Sequence, residues 1–99
     1  MKQKRIYKLK HIEEFESTYL DQRCWYGMKH FACAIAAASD RDYEAEKARL
    51  GGFLTATNSI SGTFFYMTVI RDENLTLVQV FDEEGCLVLK VIAEREGNR

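Results

Sequence analysis

Three apolar segments of β-type composition, separated by short polar links, dominate the second half of this 99-residue chain. The segments are TFFYMTVI, LTLVQVF and CLVLKVIAE, and the links between them are RDEN and DEEG. Links this short connect neighbouring antiparallel strands. Gly85, at the end of the second link, is placed for the left-handed position of a bulged turn. The C-terminal half is therefore predicted to be an antiparallel meander.

The apolar residues of these strands fall on both faces of the predicted sheet. If Phe81 lies opposite Leu87, a first face collects Phe64, Tyr66, Ile70, Leu75, Leu77, Phe81, Leu87, Leu89 and Val91. The second face then collects Phe65, Met67, Val69, Val78, Val80, Val88 and Ile92, with Thr76 and Lys90 as its main polar members. A strand with one face in water normally alternates apolar and polar residues. Both faces are therefore expected to be covered.

Which element or molecule packs on the second face is the question most relevant to function that the sequence raises. Burying one Val, Met or Phe contributes about 1.5–3 kcal/mol. Seven such residues would contribute about 10–20 kcal/mol, which is comparable with the whole stability of a domain, roughly 5–15 kcal/mol. The cover could be the first predicted helix of the same chain, through Ile12, Phe15 and Tyr19, or a second copy of the chain, or a different protein.

The first half of the chain predicts helices. Residues Ile12, Phe15, Tyr19 and Tyr26 recur at helical spacing and favour an amphipathic helix from about Ile12 to Arg23. CWYG interrupts this spacing, and Gly27 favours a break before a second helix. The segment MKHFACAIAAAS that follows is apolar on nearly every side. We expect this second helix to lie in the centre of the domain, against the first face of the sheet.

The boundaries that follow are less regular. Ser39 and Asp42 are spaced like a capping box and favour a new helix, which Gly51 and Gly52 would end. One continuous helix from Met28 to Leu50 is the alternative, since neither Gly nor Pro interrupts that range. The segment FLTATNSIS, Phe53–Ser61, is a candidate fourth strand.

The sequence as a whole predicts a single small α+β domain over residues 1–99. Two or three N-terminal helices would pack on a three- to four-stranded antiparallel β-meander in the C-terminal half. Residues 1–10 would form a basic arm or, because RIYKLK alternates, an edge strand. Residues 12–50 would be helical, and residues 53–95 would form the meander.

Charge is distributed unevenly along the chain. The net charge is −1, but the first eleven residues carry +5 and the remaining 88 carry 9 bases and 15 acids. The basic residues of the arm flank Tyr7, a mixture that suits phosphate contact and base stacking. A nucleic-acid-associated regulator is therefore the alternative function, with the contacts made by Lys2, Lys4, Arg5, Lys8 and Lys10.

Chemical motifs are sparse. Cys24, His30 and Cys33 have the residue types of a zinc site, but a structural site needs four ligands, and Cys86 or His11 would have to complete it. An odd number of cysteines without a CxxC pair predicts reduced thiols. No catalytic residue, metal or cofactor is predicted, and a thiol- or metal-dependent enzyme is only a third hypothesis.

The leading hypothesis is a small non-enzymatic protein–protein interaction module of the inhibitor, immunity or adaptor type. Its expected partner is another protein, with a homodimer as one form. Its expected location is the cytoplasm, because no apolar run is long enough to cross a membrane and the N-terminal segment lacks the apolar region of a signal peptide. The predicted contacts are the second sheet face and an acidic helix surface: Phe65, Met67, Val69, Val78, Val80, Val88, Asp40, Asp42, Glu44 and Glu46.

Overall fold

The computed structural model describes residues 5–15, 22–62 and 64–97. Its elements, in chain order, are β1 (Ile6–Glu14), α1 (Gln22–Ala37), α2 (Tyr43–Ser61), β2 (Tyr66–Arg71), β3 (Leu75–Phe81) and β4 (Leu87–Glu96). The four strands form one antiparallel sheet in the order β1-β4-β3-β2. The fold is therefore α+β, with two helices and a four-stranded antiparallel sheet.

The fourth strand comes from the N-terminal segment. β1 pairs with β4 at the sheet edge, and Lys10 is the extra residue of a bulge between Leu9 and His11. Ile12 pairs with Val91, so the helix predicted from Ile12 to Arg23 is wrong at its start. Helical spacing favours a helix locally, but the ten-residue strand β4 offers a ladder to residues as far as Glu14. Residues 16–21 of that predicted helix lie outside the described residues.

Both hairpins begin with an aspartate that organises the turn. Asp72 Oδ1 accepts the backbone N–H groups of Asn74 (2.7 Å) and Leu75 (2.9 Å). Asp82 Oδ1 accepts those of Glu84 and Cys86, both at 2.9 Å. Gly85 has φ +84°, the left-handed conformation predicted for the end of the second link. The meander of β2, β3 and β4 is confirmed.

Helix α1 runs through Gly27 without a break. Met28, Ala32, Ile35 and Ala36 are all buried, and their spacing places them on one face of the helix. Gly27 instead allows a close helix crossing, since a Cβ there would lie 2.6 Å from Phe53 Cζ of α2. The predicted interruption at this glycine is therefore wrong.

The change of polarity at Ser39 separates α1 from α2, so the prediction of two helices rather than one continuous helix is confirmed. Ser39 Oγ accepts the N–H of Asp42 (3.3 Å), and α2 begins directly after Asp42. The helix continues through Gly51 and Gly52 because Leu50, Leu54 and Thr57 bury one face of it.

The end of α2 lies at the next glycine. Gly62 has φ +76°, and its N–H donates to Asn58 O at 2.9 Å, which is a left-handed helix cap. The predicted stop at Gly51–Gly52 is therefore wrong, and so is the strand predicted for Phe53–Ser61.

The helices cover the second face of the sheet. Helix α1 packs across β1, β3 and β4, while α2 packs against α1 and β2. The prediction that the Ala-rich helix sits on the first face is therefore wrong. The cover consists of α1 and α2, whereas Ile12 and Phe15, which were expected to provide it, lie in β1 and just after it.

A bulge in β4 explains part of this difference. Phe81 pairs with Leu87 as predicted, but Val80 pairs with Leu89, so Val88 is an extra residue without a partner in β3. Leu89 and Val91 consequently lie on the helix-covered face and are fully buried, while Ile92 lies on the opposite face.

Candidate functional site

The sheet face opposite the helices is the candidate functional site. We call it the open face and define it by its apolar side chains, Tyr66, Ile70, Leu75, Leu77, Phe81, Leu87 and Ile92. Tyr66 is 56% exposed and Ile70 is 55% exposed, and the remaining five are partly exposed. Among the described residues, neither helix packs on this side. An apolar surface of this extent is typical of an interaction site.

Six of the seven apolar side chains of the open face form two rows that run across the strands, and Leu75 lies beyond them, opposite Glu94. Strand register aligns Tyr66 with Phe81 and Leu87 in one row, and Ile70 with Leu77 and Ile92 in another. The row between them is polar and contains Thr68, Gln79, Lys90 and Glu13. The surface therefore has a defined pattern rather than a uniform apolar character.

Charges on the open face are confined to β1 and β4 and are of both signs. Lys8 Nζ lies 3.4 Å from Glu96 Oε2, and His11 Nε2 lies 2.8 Å from Glu13 Oε2. The hydrogen bond with His11 is the main reason that the pKa of Glu13 is lowered, burial opposes the shift, and the charge of Lys90 adds to it. Cations and carboxylates are thus interspersed, an arrangement typical of a protein-contact rim rather than of a phosphate track.

The structure places the predicted second-face residues under the helices of the same chain. Phe65, Val78, Val80 and Val88 are buried, while Met67 and Val69 are half-buried. These six side chains belong to the core or pack against it. The four buried side chains are therefore not available as a contact surface in the folded chain.

Arg71 organises a second cluster, which the sequence did not indicate. Its side chain is only 4% exposed, and its guanidinium lies between the rings of Tyr7 (4.0 Å to the centroid) and Tyr43 (4.3 Å). It donates hydrogen bonds to Ala38 O (2.8 Å) and to Thr76 Oγ1 (2.7 Å). Arg71 therefore links the C-terminal end of α1 to the sheet through hydrogen bonds.

The same guanidinium donates to the carbonyl oxygens of Ile35 (3.4 Å) and Ala36 (3.2 Å). Burial lowers the pKa of Arg71, and the nearby tyrosines and Asp40 oppose that shift. Helix α1 has no basic residue in its last turn. Its unpaired carbonyl groups therefore depend on a donor from elsewhere in the chain, and this need is the one sequence signal that could have indicated the cluster.

The predicted acidic surface is largely compensated within the chain. Asp40 accepts from Arg5 (2.8 Å) and from Arg71 (3.3 Å), and the hydrogen bond from Arg5 is the main reason that the pKa of Asp40 is lowered. Three further members of that surface also have local partners, which are Ser39 for Asp42, Lys47 for Glu44 and Arg49 for Glu46.

The basic arm is similarly engaged where the structure describes it. Lys2 and Lys4 lie outside the described residues. Arg5 pairs with Asp40, Lys8 pairs with Glu96, and Lys10 is exposed at the β1 bulge. The described part of the arm is thus an edge strand.

The cysteines form no disulfide. Cys33 is half-buried, and burial raises its pKa, while the charge of the neighbouring Lys29 opposes the shift. In the described residues, the group whose ligand atoms lie within 4.8 Å of one another is Asp82, Glu84 and Cys86; Cys24, His30 and Cys33, which have the residue types of a zinc site, form no such group. Asp82 Oδ1 already accepts two backbone N–H groups of the turn.

Comparison of the chain with protein-family models, with curated proteins and with solved structures gives no match. No helix of the described chain combines the length and the apolar character needed to cross a bilayer. The functional argument therefore depends on the geometry of the chain itself.

Proposed function

We propose that this chain is a non-enzymatic protein–protein interaction module that binds its partner through the open face of the sheet. The observation that carries the proposal is the pair of apolar rows on a face that no described helix covers. The core of the domain is already complete on the opposite side, where all the largest fully buried side chains of the sheet lie. The apolar residues of the open face are therefore not needed to complete that core, and their exposed surface is available to contact another protein.

The dimensions of the face fit this role. β3 has 7 residues, so the face is about 23 Å long, and four strands make it about 19 Å wide. The projected area of the whole face, with its apolar rows and the polar row between them, is therefore roughly 400 Å². The mixed charges of β1 and β4 supply a polar rim, and the expected partner is a protein with an apolar centre and charges of both signs around it.

The other predicted surfaces support a binding function less well. Arg5 and Lys8 are paired with carboxylates of the same chain, which reduces the charge available for nucleic-acid phosphates. Asp40, Glu44 and Glu46 are paired with cations, which reduces the negative charge available for a basic partner. The open face is therefore the stronger candidate for contacts of an inhibitor, immunity or adaptor type.

The proposal is tested by comparing three immobilised chains, the wild type, Leu77→Lys and Tyr26→Lys, in capture experiments from extracts of the source cells. Leu77 lies in the centre of an apolar row, so a lysine there places a charge inside the expected contact. We expect Leu77→Lys to retain its fold and to lose capture of the specific partner by about tenfold or more.

Tyr26→Lys is the matched control, because Tyr26 is a large exposed side chain on α1, away from the sheet. It should capture the same protein as the wild type. Circular dichroism establishes that each variant is folded. Equal capture by Leu77→Lys and the wild type would contradict the proposal.

A further inference from the structure

We propose that β2 pairs with β2 of a second copy of the chain, in antiparallel register centred on Thr68, to give a continuous eight-stranded sheet. The two outer strands of the sheet are unlike each other. β1 carries Lys8 and Lys10 and a bulge, features that discourage pairing at an edge. Residues Tyr66–Ile70 of β2 contain no charge, proline or glycine, and no bulge interrupts their ladder with β3. β2 is thus the edge suited to strand addition.

The backbone groups that point outward from β2 follow from the observed hydrogen bonds. Asp72 N donates to Leu75 O (3.0 Å), so Asp72 faces β3. Backbone N–H and C=O groups alternate in direction along an antiparallel ladder. Those of Tyr66, Thr68 and Ile70 therefore point toward β3, and those of Met67 and Val69 point outward. Phe65 is the next residue toward the N-terminus whose backbone groups point outward. Those groups already have a partner within the chain, because the side-chain amide of Asn58 accepts from Phe65 N (2.9 Å) and donates to Phe65 O (3.3 Å).

The residue pattern of β2 is symmetric about Thr68. In a register centred there, each Met67 lies opposite Val69 of the second copy, and these two pairs form about four backbone hydrogen bonds. On the open face, Tyr66 lies opposite Ile70 of the second copy and Thr68 lies opposite its own equivalent. Aromatic–β-branched and Thr–Thr pairs are among the favourable cross-strand contacts. A shift of the register by one residue would instead place residues of opposite faces together.

Helix α2 leaves room for the second copy. The helix contacts β2 through Gly51, whose Cβ position is 3.8 Å from Met67 Cε, and it contacts α1 through Phe53. By helical spacing, the side of α2 that adjoins the β2 contact and faces away from α1 begins with Glu44 and continues with small, exposed residues, which are Ala48, Gly52, Thr55 and Ser59. Over residues 48–59 the equivalent helix of a second copy can therefore approach without steric conflict with large side chains.

Pairing at this edge would complete the open face. A twofold axis perpendicular to the sheet leaves both open faces on the same side. The row containing Tyr66, Phe81 and Leu87 then continues into the row containing Ile70, Leu77 and Ile92 of the second copy. The projected area doubles to roughly 800 Å², the area that one partner contributes to a standard protein–protein interface. The inference concerns the strand edge and stands independently of the proposed partner of the open face.

The test is the molar mass in solution of the full chain and four variants, measured by light scattering up to millimolar concentration. We expect the wild type at twice the chain mass of 11.5 kDa. Thr68→Lys and Thr68→Glu place like charges opposite each other at the twofold axis, so each alone is expected at 11.5 kDa. An equimolar mixture of the two should return to twice the chain mass, because lysine and glutamate then lie opposite each other.

Gln79→Lys is the matched control. Gln79 is the neighbour of Thr68 on the inner strand β3, where Thr68 Oγ1 donates to Gln79 Oε1 at 3.4 Å, and its substitution should leave the doubled mass unchanged. A wild-type mass of 11.5 kDa at all concentrations would overturn the inference. So would a doubled mass for Thr68→Lys, or a mixture that stays at the single-chain mass. Dissociation by Leu77→Lys would assign the contact between copies to the open face and would likewise overturn pairing at the edge.

Discussion

Replacement of Arg71 by leucine is expected to lower the free energy of unfolding by about 3 kcal/mol or more. The substitution removes the donors to Ala38 O and Thr76 Oγ1, and it leaves backbone carbonyl groups at the end of α1 without partners. It also removes the cation between the rings of Tyr7 and Tyr43. In a domain of this size, about 3 kcal/mol corresponds to a decrease of roughly 12–24 °C in the melting temperature. Thermal unfolding followed by circular dichroism measures this decrease.

Two further variants define the origin of that effect. Arg71→Lys keeps the charge but not the planar fork of donors, so its free energy of unfolding should lie between those of the wild type and Arg71→Leu. Arg49→Leu removes an exposed arginine whose Glu46 partner lies one turn away in the same helix, and it should cost less than about 1 kcal/mol. Equal melting temperatures for Arg71→Leu and Arg49→Leu would show that the buried guanidinium does not hold α1 to the sheet.

Two leucines of β4 are expected to respond very differently to truncation. Leu89→Ala should lower the free energy of unfolding by about 2–5 kcal/mol, because Leu89 is fully buried beneath the helices. Leu87→Ala should cost about 1 kcal/mol or less, since Leu87 is partly exposed on the open face. In a regular strand, residues two apart share one face, so the contrast depends on the bulge at Val88. Urea unfolding of both variants measures it.

Similar losses for Leu87→Ala and Leu89→Ala would mean that the bulge is absent in solution. Val91→Ala provides an internal reference, because Val91 is fully buried on the same face as Leu89. The decrease in the free energy of unfolding should be larger for Val91→Ala than for Leu87→Ala. This ordering is expected only if the face of β4 changes between Leu87 and Leu89.

The meander could be predicted from the sequence because its signals are local. Polar links that contain Asp72 and Asp82 separate apolar runs, and the same aspartates accept the backbone hydrogen bonds of both turns. The pairing of Phe81 with Leu87 also follows from the length of the link between them. The identity of the open face could not be predicted in the same way. In CLVLKVI nearly every residue is apolar, so an extra residue at Val88 leaves the hydrophobic pattern unchanged.

The errors in the first half of the chain have a different cause. The spacing of Ile12 and Phe15 suits a helix, but Ile12 pairs with Val91, a contact across about 80 residues that no local pattern reveals. Gly51 and Gly52 each disfavour a helix by about 1 kcal/mol. Burial of Leu50 and Leu54 on either side offsets that cost, and α2 continues to Gly62.

The candidate site was only partly accessible to sequence reasoning. The sequence predicts an apolar sheet face that must be covered by something outside the meander. It also places Tyr66, Ile70 and Leu77 together on one face, as the structure does. The helices, however, cover the other face. Arg71 stands beside a polar link and resembles an ordinary turn residue, and its burial depends on where the end of α1 meets the sheet.

Site-specific photo-crosslinking in the source cells tests the central claim most directly, which is that the open face binds a protein. A photoreactive p-benzoylphenylalanine would replace Phe81 on the open face or, as the control, Tyr26 on α1. The full chain is used in both cases. We predict a discrete crosslinked protein adduct from position 81 that is absent from position 26. The absence of an adduct from position 81, or the same adducts from both positions, would contradict the claim.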